Sequence, residues 1–281
     1  MLSRIVTGFS LAFVFLALLL YLPLFYTGLI FTLISIYGFY EWLIVSNQSN
    51  QSILANLLVM VASMIMLLIY HNHQMVLIAS YLSLFIWILI LFDMYFGSRI
   101  YKRALAFNSS VIGLYMIITA WFLIMSLGTT SSVSVIEPNK YLLFSMSDSN
   151  IHMYLLFLIA IISLTDASGY FVGKLFGKKK LCEHISPNKT ILGLLGSLLI
   201  PLISYVLIFI FILNKPLMIE DLLFMLLCCI YCTIGDLFVS TFKRFYSVKD
   251  TGKILPGHGG LLDRLDSYLP TISIFQIWLF I

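Results

Sequence analysis

Charge is scarce in this chain. Only 10% of its 281 residues are Asp, Glu, Lys or Arg, against about 25% in soluble domains. Apolar residues make up 61%, and the mean hydropathy is +1.05. A soluble fold of this size could not hide so much apolar surface, so the bilayer must be the solvent. Cysteine is scarce too: Cys182, Cys228, Cys229 and Cys232. Cys229 and Cys232 have zinc-like spacing, but no second Cys/His pair accompanies them, so they read as helix-packing residues. The apolar run 5–22 follows Arg4, and no small-residue cleavage site comes after it. It therefore reads as an uncleaved first span. Internal repeats and low-complexity linkers are lacking, so 1–281 is treated as one membrane domain.

A membrane helix needs about 20 mostly apolar residues. Candidate spans are 5–22, 24–45, 53–70, 75–97, 105–127, 152–172, 191–213, 222–240 and a short last one, 268–281. The fold class expected is all-α: a polytopic membrane protein of about nine transmembrane helices. The Lys/Arg bias of short loops sets the orientation. With the N-terminus in the cytoplasm, fourteen of the sixteen cations fall on the cytoplasmic side, and only Lys140 and Lys215 fall outside. Two long polar segments, 173–190 and 241–267, then face the cytoplasm. The half 1–150 reads as N-terminal helices, and 151–281 carries the chemistry.

Glu41, Asp93, Asp166 and Asp236 lie inside apolar runs. Such groups cost about 2.5–3.5 kcal/mol or more at a helix centre, so each calls for a function. Glu41 and Asp93 sit near span ends, where reaching the interface is an equal reading. Asp236, Ser240 and Lys243 are spaced i, i+4, i+7 and share one helical face. A carboxylate, a hydroxyl and an ammonium on one stripe can meet a metal-bound phosphate together; a charged helix end is the plainer alternative.

The segment 248–267 holds Lys249, Asp250, the loop Pro256-Gly257-His258-Gly259-Gly260, and then Asp263, Arg264 and Asp266. Glycine-rich backbone can approach an anion closely. Carboxylates suit Mg²⁺, which takes one or two of them and completes its shell with phosphates and water. Arg and Lys suit the remaining phosphate oxygens. His258 reads equally as a phosphate contact or as a brace for the loop. Upstream, Gly169, Gly173 and Gly177 repeat every four residues, which fits close helix packing. Ser186-Pro187-Asn188-Lys189-Thr190 reads as a polar turn re-entering the membrane beside Asp166, with Ser186 and Lys189 as phosphate contacts.

The run from Ser240 to Asp266 resembles the signature of phosphatidate cytidylyltransferases (CDP-diacylglycerol synthases). Ser240, Lys243-Arg244, Lys249-Asp250, Gly252, Pro256 to Gly260 and Asp263-Arg264-x-Asp266 match it. Thr165-Asp166, Ser186-Pro187-x-Lys189-Thr190, Gly235-Asp236-Leu237 and Glu41-Trp42 also look like the family. The matching parts cover roughly the C-terminal half. Three positions depart from the family pattern: Leu192 where Glu is usual, and Cys232-Thr233 where Gly-Gln is usual. The resemblance implies Mg²⁺-dependent chemistry at a two-cation centre, with a monovalent ion as a candidate second cation. Asp236 and Asp263 match the carboxylates that hold it.

The expected reaction joins CTP and phosphatidic acid into CDP-diacylglycerol and pyrophosphate, within phospholipid biosynthesis. Lys243, Arg244, Asp250, Arg264 and Asp266 are its expected catalytic residues. Asp166, Ser186, Lys189, Ser240, Lys249, His258, Gly259 and Gly260 are the expected substrate contacts. Membrane lipids are expected partners and nucleic acid is not; a homodimer stays open. A compact chain without long soluble extensions suggests a bacterial plasma membrane, with the site facing the cytoplasm. The alternatives are a CTP-dependent isoprenoid-lipid kinase, an archaeol-type cytidylyltransferase, or an inactive or transport paralogue.

Overall fold

The computed structural model describes residues 21–96, 100–130, 151–182, 185–212, 218–254 and 259–280. Among these, seven helices are long and apolar enough to cross a bilayer. They are α1 (Leu24–Val45), α2 (Asn50–Ile69), α3 (His73–Phe96), α4 (Ile100–Thr130), α5 (Ile151–Phe176), α6 (Ile191–Leu207) and α7 (Ile219–Phe245). Each matches one expected span. A π-helical turn, Ile208–Ile212, prolongs α6. Residues 5–20 of the expected span 5–22, with Arg4, lie outside the described residues, as do Arg99, Lys140, Lys215 and His258.

Local chemistry fixes several helix ends. Ser49 caps α2 by accepting from the Ser52 N–H, and Thr190 caps α6 by accepting from the Gly193 N–H. Helix α7 begins with Glu220 and Asp221 and ends with Lys243 and Arg244. Those charges oppose the helix dipole at both ends. Asp93 accepts from the backbone N–H groups of Ile100 at 2.8 Å and Tyr101 at 3.2 Å. Its carboxylate thus closes the start of α4 from the end of α3, and the helix cap accounts for it. Asn108 interrupts α4 with non-helical φ −155° and ψ 81°. Its side chain then accepts from Val111 N and restarts the helix.

The last expected span becomes α9, Tyr268–Phe280, with 13 residues. At 1.5 Å per residue it is about 20 Å long, against about 30 Å for a hydrocarbon core. It lies in the middle of the bundle, packed against α3, α4 and α7. Leu269, Ile272, Phe275 and Ile277 are buried, and so are the polar Thr271, Ser273 and Gln276, as befits a helix surrounded by protein. The buried rings of Trp42, Trp87, Trp121, Phe238 and Phe242 belong to the same core. The Trp42 ring stacks on Phe242 at 3.7 Å. By contrast α2 turns Leu54, Leu58, Ile65 and Ile69 outward, the surface that lipid tails cover.

Helices α5 and α6 approach through glycine, as the four-residue repeat predicts. A Cβ on Gly193 would stand 2.8 Å from the Gly169 carbonyl oxygen and 3.1 Å from the Gly173 Cα. Within this all-α fold one local expectation is corrected. Ser186–Thr190 is not a bare turn but a strand, β2, paired antiparallel with β1, Lys180–Cys182. The register sets Lys180 opposite Thr190 and Cys182 opposite Ser186. Proline and asparagine suggest a turn, but Pro187 stands in a two-stranded ribbon where its missing N–H is tolerated.

Candidate active site

Five elements bring the expected residues to one end of the bundle. Helix α5 carries Asp166, and β2 carries Ser186 and Lys189. Helix α7 carries Asp236, Ser240, Lys243 and Arg244. The loop after α7 carries Lys249, Asp250, Gly259 and Gly260. The short helix α8, Leu262–Leu265, carries Asp263 and Arg264, and Asp266 follows at its end.

Two ion pairs organise these groups. Lys189 Nζ lies 2.5 Å from Asp236 Oδ2, and Lys243 Nζ lies 2.6 Å from Asp263 Oδ1. Ser240 donates to Asp236 Oδ1 at 3.2 Å, so the expected i, i+4 face is real. Lys243, one turn further on, turns to Asp263 rather than to Asp236. The other oxygen of Asp263 accepts from Thr251 N at 2.9 Å, Gly260 N at 3.0 Å and the Thr251 hydroxyl at 3.1 Å. Burial pushes the Asp263 carboxyl up. The Lys243 hydrogen bond and the backbone N–H groups of Thr251 and Gly260 outweigh it and hold the group below the usual carboxylate range.

Asp266 behaves in the opposite way. It is buried, and burial first, then the negative charges of Asp236 and Asp166, push its carboxyl well above the usual range. Its Oδ1 accepts from Ser267 N at 2.8 Å. Gly235 lets α7 come this close, because a Cβ there would collide with the Asp266 carbonyl oxygen. Asp166 keeps an exposed surface and also accepts from Cys232 Sγ and Ser267 Oγ, each at 3.5 Å. Three acids, Asp166, Asp236 and Asp266, therefore share one electrostatic neighbourhood.

The remaining expected residues divide. Lys249, Asp250 and Arg264 are exposed, and Ser186 is half-buried in β2. Gly259 has φ +87°, and a Cβ there would stand 2.7 Å from Asp263 Oδ2 and 3.6 Å from Asp250 Oδ1. The two carboxylates thus flank one glycine. Arg244 donates Nε to the Ile185 carbonyl at 3.3 Å and Nη1 to the Val248 carbonyl at 3.2 Å. It ties the hairpin to the turn after α7 while keeping further N–H groups. Of the departures, Cys232 touches Asp166, Thr233 donates back to the Cys229 carbonyl of its own helix, and Leu192 is exposed.

Two residues were not among the expected site residues. Thr251 is buried beside Asp263, and Ser267 is buried beside Asp166 and Asp266. Neither lies at a recognisable spacing, and only the folded loop brings them in. Glu41, noted in sequence as an acid near a span end, also reaches the site. It is 2% exposed and accepts from Leu262 N at 2.8 Å and from Thr251 Oγ1 at 3.1 Å.

The donor set suits a hard cation. Every candidate ligand is a carboxylate or hydroxyl oxygen; of the four acids Asp166, Asp236, Asp263 and Asp266, Asp236 and Asp263 form ion pairs with Lys189 and Lys243. Among the described residues no three His, Cys, Asp or Glu side chains form a closed metal cage. Mg²⁺ does not need one, since it keeps waters and takes phosphate oxygens alongside one or two carboxylates.

A bundle of apolar helices that gathers acids, lysines and a glycine loop at one end defines a membrane-embedded protein with a site for charged groups. The Cytidylyltransferase family profile matches residues 2–281, and the chain belongs to that family. It is similar to the phosphatidate cytidylyltransferase of Staphylococcus saprophyticus: 37% identical over 148 residues, 53% of this chain and 56% of that one. It is similar to that of Staphylococcus haemolyticus, 43% identical over 129 residues, 45% of this chain and 48% of that one. It is also similar to that of Bacillus subtilis, 46% identical over 117 residues, 41% of this chain and 43% of that one. The chain thus spans about half the length of the curated relatives it matches.

Proposed function

We propose that this protein transfers the cytidylyl group of CTP to phosphatidic acid, giving CDP-diacylglycerol and pyrophosphate. The observation that carries the reading is the pair of lysine-bound carboxylates, Asp236 of α7 and Asp263 of α8, at one end of a membrane bundle. Family membership and the names of the relatives support the choice of nucleotide and lipid.

The acceptor is a phosphate monoester, with a second pKa of about 6, so it is largely a dianion at neutral pH. One of its oxygens forms a bond to the α-phosphorus of CTP. The bond from that phosphorus to the bridging oxygen breaks, and pyrophosphate leaves with the electron pair. No strong base is required, so catalysis is positioning and charge neutralisation. Asp236 and Asp263 would hold Mg²⁺, which supplies positive charge against the triphosphate; a monovalent second cation is part of this reading. Lys189, Lys243, Arg244, Lys249 and Arg264 would face phosphate oxygens. Asp166, Asp250 and Asp266 would orient those cations. Ser186, Ser240, His258, Gly259 and Gly260 would line the substrates.

Phosphatidic acid keeps its acyl chains in the bilayer, while CTP is too polar to enter it. The site must therefore open to the aqueous phase at membrane depth. Fourteen of sixteen cations on one side support a cytoplasmic opening in a bacterial plasma membrane, with about nine spans and a cytoplasmic N-terminus. The test uses purified protein, phosphatidic acid and Mg²⁺ with α-labelled or γ-labelled CTP. Transfer of the α-label to lipid, abolished by chelator, is expected. Transfer of the γ-label would mean a kinase, and unchanged CTP would mean a paralogue of another kind.

A further inference from the structure

We infer that Glu41 is a positioning residue: from α1 it clamps the two backbone stretches that hold Asp263 in place. The inference rests on the proposed role of Asp263. Glu41 comes more than 200 positions before its partners, and its carboxylate lies between them. Oε2 accepts from Leu262 N, at the start of α8, and from the Thr251 hydroxyl. The same hydroxyl is 3.1 Å from Asp263 Oδ2, and the Thr251 N–H donates to that oxygen. Thr251 is thus the shared partner of both acids.

The fit around Glu41 is a second, independent observation. A Cβ on Gly252 would collide with Glu41 Oε1, and a Cβ on Gly260 would stand 2.5 Å from Oε2. Both chain segments close onto the carboxylate where side chains are missing. The carboxylate is also held from behind. The neighbouring Trp42 stacks on Phe242 and donates to the Ser109 carbonyl at 2.9 Å, which fixes α1 against α7 and α4. Glu41 Oε1 is buried, with no hydrogen-bond partner among the described residues. Its geometry serves the loop. Without it, Leu262 N would lose its acceptor, the Thr251 hydroxyl would keep only Asp263 Oδ2, and the loop that supports Asp263 would lose an anchor.

Hydrogen exchange of the full-length protein in detergent, without nucleotide, tests this independently of the reaction. Glu41→Ala is expected to speed exchange of the amides in 250–254 and 259–264 by about tenfold or more, with α3, α5 and α6 unchanged. Glu41→Gln keeps an oxygen for Leu262 N and is expected to restore protection and most of the transfer activity. Thr251→Val, which lacks the hydroxyl, should reproduce part of the Glu41→Ala effect. Unchanged exchange in Glu41→Ala would overturn the inference. So would a Glu41→Gln chain as unprotected there as Glu41→Ala, or one that fails to fold. If exchange behaves as expected while the wild-type protein transfers no cytidylyl group, the clamp stands and the proposed reaction falls.

Discussion

Lys243 and Asp263 lie 20 residues apart in sequence and 2.6 Å apart in space, and their pair fastens α7 to α8. Both side chains are largely covered, at 13% and 8% exposure, whereas Lys189 and Asp236 keep 25% and 30%. Removing one member of a buried pair costs about 3–5 kcal/mol, while exposed pairs contribute about 0–1 kcal/mol. Lys243→Met should therefore lower the thermal unfolding temperature in detergent clearly more than Lys189→Met does. Equal shifts would contradict this ranking.

Gly259 provides a conformational test. Its φ of +87° disfavours any side chain, and a Cβ there also meets Asp263 Oδ2. Gly259→Ala should store about 1–3 kcal/mol of strain and lower the transfer rate more than it lowers the unfolding temperature. Rate and melting measurements on the same preparation separate the two effects.

The α5–α6 contact should tolerate no added bulk where the two backbones meet. Gly193→Ala forces a methyl group to within 2.8 Å of the Gly169 carbonyl oxygen, whereas Gly28→Ala would meet only Met125 Sδ at 3.5 Å. Overpacking typically costs about 1–3 kcal/mol. Gly193→Ala should thus destabilise the protein by that order, and Gly28→Ala should change little, as read by thermal unfolding.

Asp93 offers the converse case, an acid in an apolar run with a structural duty. Asp93→Ala removes the acceptor for Ile100 N and Tyr101 N. The loss of a helix cap costs about 0.5–2 kcal/mol. Stability should fall while the activity of the folded fraction stays near that of the wild type.

Much of the architecture can be read from hydropathy, because crossing helices must be long and apolar. All seven crossing helices among the described residues coincide with expected spans. The shared face of Asp236 and Ser240 is equally plain, since both lie within one helix. Contacts between distant segments are not. Lys189 reaches Asp236 from a hairpin that looks like a turn, and Glu41 reaches Leu262 across 221 positions. Helix α9 resembles a truncated span until its burial among α3, α4 and α7 gives its short length a reason. Arg244, expected at a phosphate, also spends donors on two backbone carbonyls that no periodicity reveals.

The most direct measurement compares Asp236→Asn, Asp263→Asn and the wild-type protein in transfer from α-labelled CTP to phosphatidic acid, each with Mg²⁺ and with chelator. The account predicts Mg²⁺-dependent labelling of lipid by the wild type and loss of nearly all of it in both variants, with helical content retained. Full activity in both folded variants would contradict it.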